Sequence, residues 1–192
     1  MTPDGISDRA AGPRHRRLKL AALVIIVVVV GLDLATKAWM QDLLQMDPSR
    51  DVGGRRIEVI EGFFALEGTY NSGVTFGAAQ GQTIPILIFT VVVMLLLGAW
   101  LFSTRQRSAP LHVGIGMVLG GALGNLWDRV HWAKVRDFLL FYWGDPKGPS
   151  FSWPNFNVAD SMIVCGVLLI VWDEIFGRMR REKRAAAAAG VA

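Results

Sequence analysis

A chain of 192 residues, 52% hydrophobic and with a formal net charge of +4, has the length of one domain. Its single cysteine, Cys165, rules out an intramolecular disulfide, and its three histidines lack the spacing of a metal site. The excess of base does not point to nucleic acid, because the lysines and arginines gather beside apolar blocks, as they do on the cytoplasmic flank of membrane proteins.

Residues 1–16 are polar, with Pro3, Gly5, Gly12 and Pro13, and predict a disordered tail that carries His15. Arg16, Arg17 and Lys19 then flank a first apolar block at 20–40, close to the ~20 residues that span a bilayer as a helix. The arrangement is like that of a signal peptide. No small-residue cleavage site precedes Asp33 and Lys37, however, so the block reads as an uncleaved span. Residues 41–82 form a polar loop. Within it Arg56-Ile-Glu-Val-Ile-Glu61 alternates apolar and charged residues, Gly62 interrupts, and 63–70 is rich in strand formers, which predicts a small β-ribbon.

A second block covers 83–102 and a third 111–130. The short connector between them carries Arg105 and Arg107 and makes the two helices antiparallel neighbours. An aromatic-rich segment at 131–157 reads as a loop, and a fourth block runs over 158–176. Arg178, Arg180, Arg181, Lys183 and Arg184 follow, then an alanine-rich end. The fold class expected is an all-α polytopic membrane protein, with four transmembrane helices over residues 17–177 and a small extracytoplasmic β-ribbon or cradle. Residues 178–192 form a second tail.

Four spans put both termini on one side. That side collects twelve bases, against six in the two long loops: Arg50, Arg55, Arg56, Lys134, Arg136 and Lys147. The termini are therefore expected in the cytoplasm and the long loops outside. Trp39, Trp127, Trp132, Trp143 and Trp153 fall near the outer interface, and Trp100 and Trp172 near the inner one.

The polar residues of the spans concentrate at the outer level. Asp33 and Lys37 stand i,i+4 in the first block; Asn125, Asp128 and Arg129 close the third; Asn157 and Asp160 open the fourth. In the third block Gly116, Gly120, Gly124 and Asp128 form one stripe, and Gly121, Asn125 and Arg129 the next, a spacing that lets neighbouring helices approach closely. Polar groups confined to one depth argue against a channel or transporter, which needs them through the bilayer. Asp160, with the loop residue Asp137, offers a carboxyl pair able to share a proton and activate water, as in aspartic proteases. Three other readings stay open on residues alone: a Ser–Lys pair of Lys37 with Ser72 or Ser161, a nucleophilic Cys165, and a non-catalytic scaffold whose aspartates make structural ion pairs.

Five stretches, in order, resemble the lipoprotein signal peptidases (signal peptidase II), bacterial membrane aspartic peptidases. They are Asp33-Leu-Ala-Thr-Lys37, Asn71-Ser-Gly73, Gly120-Gly-Ala-Leu-Gly-Asn-Leu-Trp-Asp-Arg129, Val135-Arg-Asp-Phe138 and Phe156-Asn-Val-Ala-Asp160. The resemblance implies Asp137 and Asp160 as the catalytic pair. Asn71, Gly73, Asn125, Arg129 and Asn157 would position the substrate or the pair, while Asp33, Lys37, Gly121, Asp128 and Ala159 would support the fold around them. It implies a prolipoprotein substrate whose lipobox cysteine bears diacylglycerol, cleaved on the amino side of that cysteine. It also implies membrane lipid as surroundings, no cofactor or metal, no nucleic acid, a monomer, and the bacterial cytoplasmic (inner) membrane with the site at the outer leaflet. The ribbon would match the family's β-cradle, and residues 138–143 would rest at the interface. Two features depart from the family pattern: Ala133 and Lys134 stand where a glycine is usual, and the stretch from Asp137 to Asn157 is long.

Overall fold

A computed structural model describes residues 13–50, 52–73 and 82–177, together with Met179, Lys183 and Ala187. The elements in order are α1 (Pro13–Leu44), β1 (Arg56–Ile60), β2 (Phe64–Asn71), α2 (Thr83–Ser103), α3 (Ala109–Trp132), β3 (Val135–Asp145), β4 (Gly148–Ser152) and α4 (Val158–Trp172). A π-helical turn, Asp173–Gly177, extends α4. Residues 1–12, residues 74–81 of the first long loop, and the terminal arginines lie outside the described residues.

The centre of the bundle is α3, and its glycines explain why. A Cβ on Gly116 would lie 2.9 Å from the Ala22 carbonyl oxygen, and one on Gly120 2.7 Å from Val29 Cβ. On the opposite side a Cβ on Gly121 would lie 2.5 Å from the Ala159 carbonyl oxygen, and Gly114 and Gly166 meet backbone to backbone. The absent side chains thus let α1 and α4 close on two faces of α3. The stripe read from the sequence as a packing face is one of these two.

Attachment of α2 is different. Its inner half packs on the core of Ala22, Leu101, Leu111, Ile115 and Leu119 through Met94, Leu97 and Trp100. Its outer half leaves Ile84, Ile88, Phe89, Val91 and Val92 exposed, and a bond from Thr83 Oγ1 to the Ala133 carbonyl at 3.1 Å ties its start. Exposed aliphatics also line α1 (Val24, Val27, Val28, Leu32) and α4 (Val164, Leu168, Val171). Such continuous apolar surface is what lipid covers. Among the described residues α1, α2 and α3 are long and apolar enough to cross a membrane. α4 has 15 residues, or about 22 Å at ~1.5 Å per residue. The π turn lengthens it where Asp173 Oδ1 accepts a bond from Ser108 Oγ at 2.6 Å, across to the start of α3.

Two expectations need correction, and one departure finds its explanation. Residues 13–16, assigned to a disordered tail, begin α1: Pro13 occupies the start of the helix, where its missing N–H costs nothing. His15 is buried edge-on against His112, with ring centroids 5.8 Å apart. Residues 131–157, read as a loop, contain β3 and β4. The ribbon is therefore a four-stranded antiparallel sheet in the order β1-β2-β3-β4, and the class is helical with a sheet rather than all-α. The long stretch after Asp137 is the β3–β4 hairpin, with its turn between Asp145 and Gly148. Finally, Ala133 ends α3 at φ 58°, ψ 8°, the left-handed conformation that glycine adopts without strain. The family's usual glycine thus has its physical explanation at this helix end.

Candidate active site

The site forms where α1, α3, α4 and β3 meet. Asn157 caps α4: its Oδ1 accepts from the Asp160 backbone N at 2.9 Å, while Asp160 Oδ2 accepts from the Asn157 backbone N at 3.1 Å. This reciprocal pair fixes the first turn of the helix. It leaves Asp160 Oδ1 to accept from Asn125 Nδ2 at 2.8 Å. The Asn157 carboxamide faces β3, where its Nδ2 donates to Asp137 Oδ1 at 2.7 Å, to Asn125 Oδ1 at 3.1 Å and to the Arg136 carbonyl at 3.3 Å. One asparagine therefore bonds to both aspartates.

Below lies a charged layer closed to solvent. Lys37, fully buried, places Nζ 2.8 Å from Asp33 Oδ2, 2.9 Å from Asn125 Oδ1 and 3.4 Å from Asp128 Oδ2. Asp33 Oδ1 accepts from the Ala159 backbone N at 2.9 Å, which ties α1 to the start of α4. Asp128 takes three bonds from Arg136. On the rim, Arg129 donates to the Gly73 carbonyl at 2.9 Å, Gly73 N donates to Asn71 Oδ1 at 2.9 Å, and Asn71 hydrogen-bonds Asp137. Every residue to which the resemblance gives a role is at this site or packed directly beneath it, as Gly121 is beneath Ala159.

Burial of Asp137, and next the neighbouring charge of Asp160, push its carboxyl up to about 8; the bonds from Asn71 and Asn157 and the charge of Lys37 oppose this less strongly. Asp137 therefore carries its proton at neutral pH. The two aspartates open on a cavity of about 810 Å³ between α2, α3 and α4. One end is polar, with Asn71, Asn125, Arg129, Asp137 and Asp160; the other is apolar, with Ile86, Phe89, Ile163 and Val164. Cys165 is on this wall and exposed, with no base bonded to it among the described residues. Lys37 is spent on Asp33, Asn125 and Asp128, and Ser161 Oγ donates to the Asn157 carbonyl at 3.0 Å, so these two do not form a Ser–Lys pair.

A family model described as Signal peptidase (SPase) II matches residues 25–176. The chain belongs to the signal peptidase II family. It is 36% identical over 154 residues to a lipoprotein signal peptidase of Symbiobacterium thermophilum, covering 79% of this chain and 91% of that one. It is 34% identical over 170 residues to one from Desulforapulum autotrophicum, covering 86% and 98%. Among solved structures it matches a bacterial membrane enzyme determined by the in meso method at 1.9 Å resolution, with a TM-score of 0.65 and 30% identity over 81% of this chain and 92% of that one. Membership makes the protein a peptidase, and its apolar helices and solved relatives make it a multi-pass membrane protein.

For this member of the family the sequence reading missed two groups. Arg136 joins the site through Asp128, and Gln41 through Arg136; they were read as a loop base and a loop residue. Trp153 and Asn155, on the return arm of the hairpin, line the cavity. A Trp-Pro-Asn just before Phe156 was the available signal.

Proposed function

We propose that this protein is an aspartic endopeptidase that removes signal peptides from diacylglyceryl-modified prolipoproteins, cutting on the amino side of the lipidated cysteine. The observation that carries the reading is one asparagine, Asn157, bonded to two carboxyls at the polar end of an otherwise apolar cavity. The chemistry follows from their environments. Asp160 stands in the first turn of α4, where its carboxylate oxygens accept from Asn125 Nδ2 and the Asn157 backbone N. It takes a proton from the attacking water. Asp137, protonated, gives its proton to the carbonyl oxygen of the scissile peptide as the water oxygen adds to the carbon. Collapse of the resulting diol, with a proton passing to the leaving amine, frees the signal peptide and restores the pair.

The remaining groups have roles that fit. Asn71 and Arg129 hold the extended substrate backbone, and Asn125 and Asn157 hold the pair. Asp33, Lys37, Gly121, Asp128 and Ala159 hold the helices on which these stand, and Gly73 braces Arg129. The apolar end of the cavity receives acyl chain or signal-peptide side chains. The lipid fixes the depth of the scissile bond, so that positioning supplies part of the rate.

The same reading sets the molecule in the bacterial inner membrane as a monomer. α4 and its π turn are the fourth span, both termini are cytoplasmic, and the sheet is outside with its aromatics at the interface. Residues 13–177 make up the peptidase, between cytoplasmic tails. Twelve bases against six support the orientation.

The test is to incubate the purified protein with a lipidated prolipoprotein and with its unlipidated form. Release of the signal peptide from the lipidated form only is expected; equal release from both, or none, refutes the substrate assignment. A reporter fused after Ala192 is expected on the cytoplasmic side, and an exported reporter reverses the topology.

A further inference from the structure

We propose that Arg136, to which the family resemblance gives no role, is a positioning residue for the aspartate pair: it pins the start of β3 to α1 and α3 and so holds the adjacent Asp137 against Asn157. This inference rests on the assignment of Asp137 and Asp160 as the reacting pair.

The geometry is specific. Arg136 spends its backbone N and Nε on Asp128 Oδ2, at 3.0 and 3.2 Å, and one terminal nitrogen on Asp128 Oδ1 at 2.7 Å. The other terminal nitrogen reaches Gln41 Oε1 at 2.9 Å. This is the two-pronged arginine–carboxylate pairing that fixes orientation as well as charge. The carbonyl of the same residue accepts from Asn157 Nδ2 at 3.3 Å, next to that group's 2.7 Å bond to Asp137 Oδ1. α1, α3 and α4 thus all contact the one residue that precedes Asp137. The pairing of β2 with β3 is irregular between Leu66 and Thr69 and resumes at Thr69 opposite Asp137. The ladder ties this end of β3 to β2 at Asp137, Arg136 and Val135, and the arginine adds the ties to α1 and α3 that strand pairing does not supply.

Charge gives Arg136 a second role. The charged groups around the pair are Asp33 and Lys37 from α1, Asp128 and Arg129 from α3, Arg136 itself, and Asp137 and Asp160. That is four carboxyls against three cations, which balance when the pair retains one proton. Without Arg136, Asp128 shares only Lys37 with Asp33, and the pair faces an unbalanced negative charge. The proton affinity of the pair then rises.

The test measures kcat, KM and the pH profile of Arg136→Gln, Arg136→Lys and Gln41→Leu on a lipidated substrate, normalised to folded enzyme, with Asp137→Asn and Asp160→Asn alongside. Arg136→Gln is expected to lower kcat by about 10- to 100-fold, as a displaced reacting group does. KM is expected to stay within about two-fold. The acid limb of the profile should move up by roughly half a unit to one unit. Arg136→Lys keeps the charge but not the fork, so it should restore the acid limb without restoring kcat. Gln41→Leu removes one bond and should lower kcat a few-fold with the limb unmoved. If Arg136→Gln does not fold, the last two variants decide: wild-type kcat in both overturns the proposal. So does wild-type kcat in a folded Arg136→Gln, or a loss shared equally by kcat and KM with the limb in place. Full activity in Asp137→Asn or Asp160→Asn overturns the pair assignment and this inference with it. Loss there beside wild-type kcat at Arg136 overturns this inference alone.

Discussion

The two ends of the helix bundle both bury polar side chains, with different results. At the outer end Lys37, Asn125, Asp128, Arg136, Asn157 and Asp160 form one connected network in which each member bonds at least two others or their backbone, and Asp137 joins it through Asn157 and is also bonded by Asn71. At the inner end His15 and His112 are also buried, yet His15 Nδ1, His112 Nε2 and Gln106 Oε1 have no hydrogen-bond partner among the described residues. Burying a polar atom costs stability unless it is bonded. The outer end meets that cost with a specified arrangement, whereas the inner end bears it without forming a site. Connection, more than burial, separates a reaction centre from a helix junction.

Breaking the outer network at the proposed catalytic pair is expected to give the largest effect. Asp137→Asn and Asp160→Asn each remove one proton-transfer partner, worth roughly 10²- to 10⁴-fold; cleavage of a lipidated substrate should fall by about that factor while the protein remains folded by circular dichroism. Next comes the charged layer. Lys37→Met leaves Asp33 and Asp128 buried with less compensation and should cost about 3–5 kcal/mol, read as a drop in thermal midpoint in detergent together with lost activity.

The pH dependence of stability sharpens the comparison further. The carboxyl of Asp137 titrates higher in the folded protein than in the unfolded chain. The folded state therefore holds the extra proton between about pH 4 and 8, and stability falls as pH rises through that window. In Asp137→Asn that part of the fall should vanish, so the variant's thermal midpoint should gain on the parent's as pH increases. A variant that tracks the parent at every pH contradicts the assignment.

Smaller effects are expected elsewhere. Ala133→Gly should stabilise by about 1 kcal/mol, because the left-handed helix end no longer carries a Cβ. His112→Leu removes an unbonded nitrogen at the inner end; cleavage should stay within about two-fold of the parent. A large loss there would show that the two ends are coupled.

Much of this was legible in the chain. α1 to α3 followed from unbroken apolar runs, and the site from polar residues at a common depth and five motifs in order. What stayed hidden was set by pairing across the chain. Residues 13–16 look like a polar tail, and only the packing of His15 on His112 shows why the helix continues. β3 is buried on both faces over most of its length, so 135–142 shows no alternation by which a strand is recognised. Arg136 is one more base in a loop until the turn after α3 brings Asp128, eight residues earlier, beneath it.

The two carboxyls of the proposed pair reach their meeting point by different rulers. Asp160 is counted off from a helix cap, three residues after Asn157, and Asp137 is counted off along a strand from the end of α3. A residue inserted within α4 beyond its first turn would rotate the inner end by about 100° and leave Asp160 where it is. The same insertion between Ala133 and Asp137 would turn the carboxyl to the opposite face of the sheet. An insertion on the helix side thus spares the position of Asp160 and is felt instead where Gly166 meets Gly114, whereas one on the strand side moves the carboxyl itself.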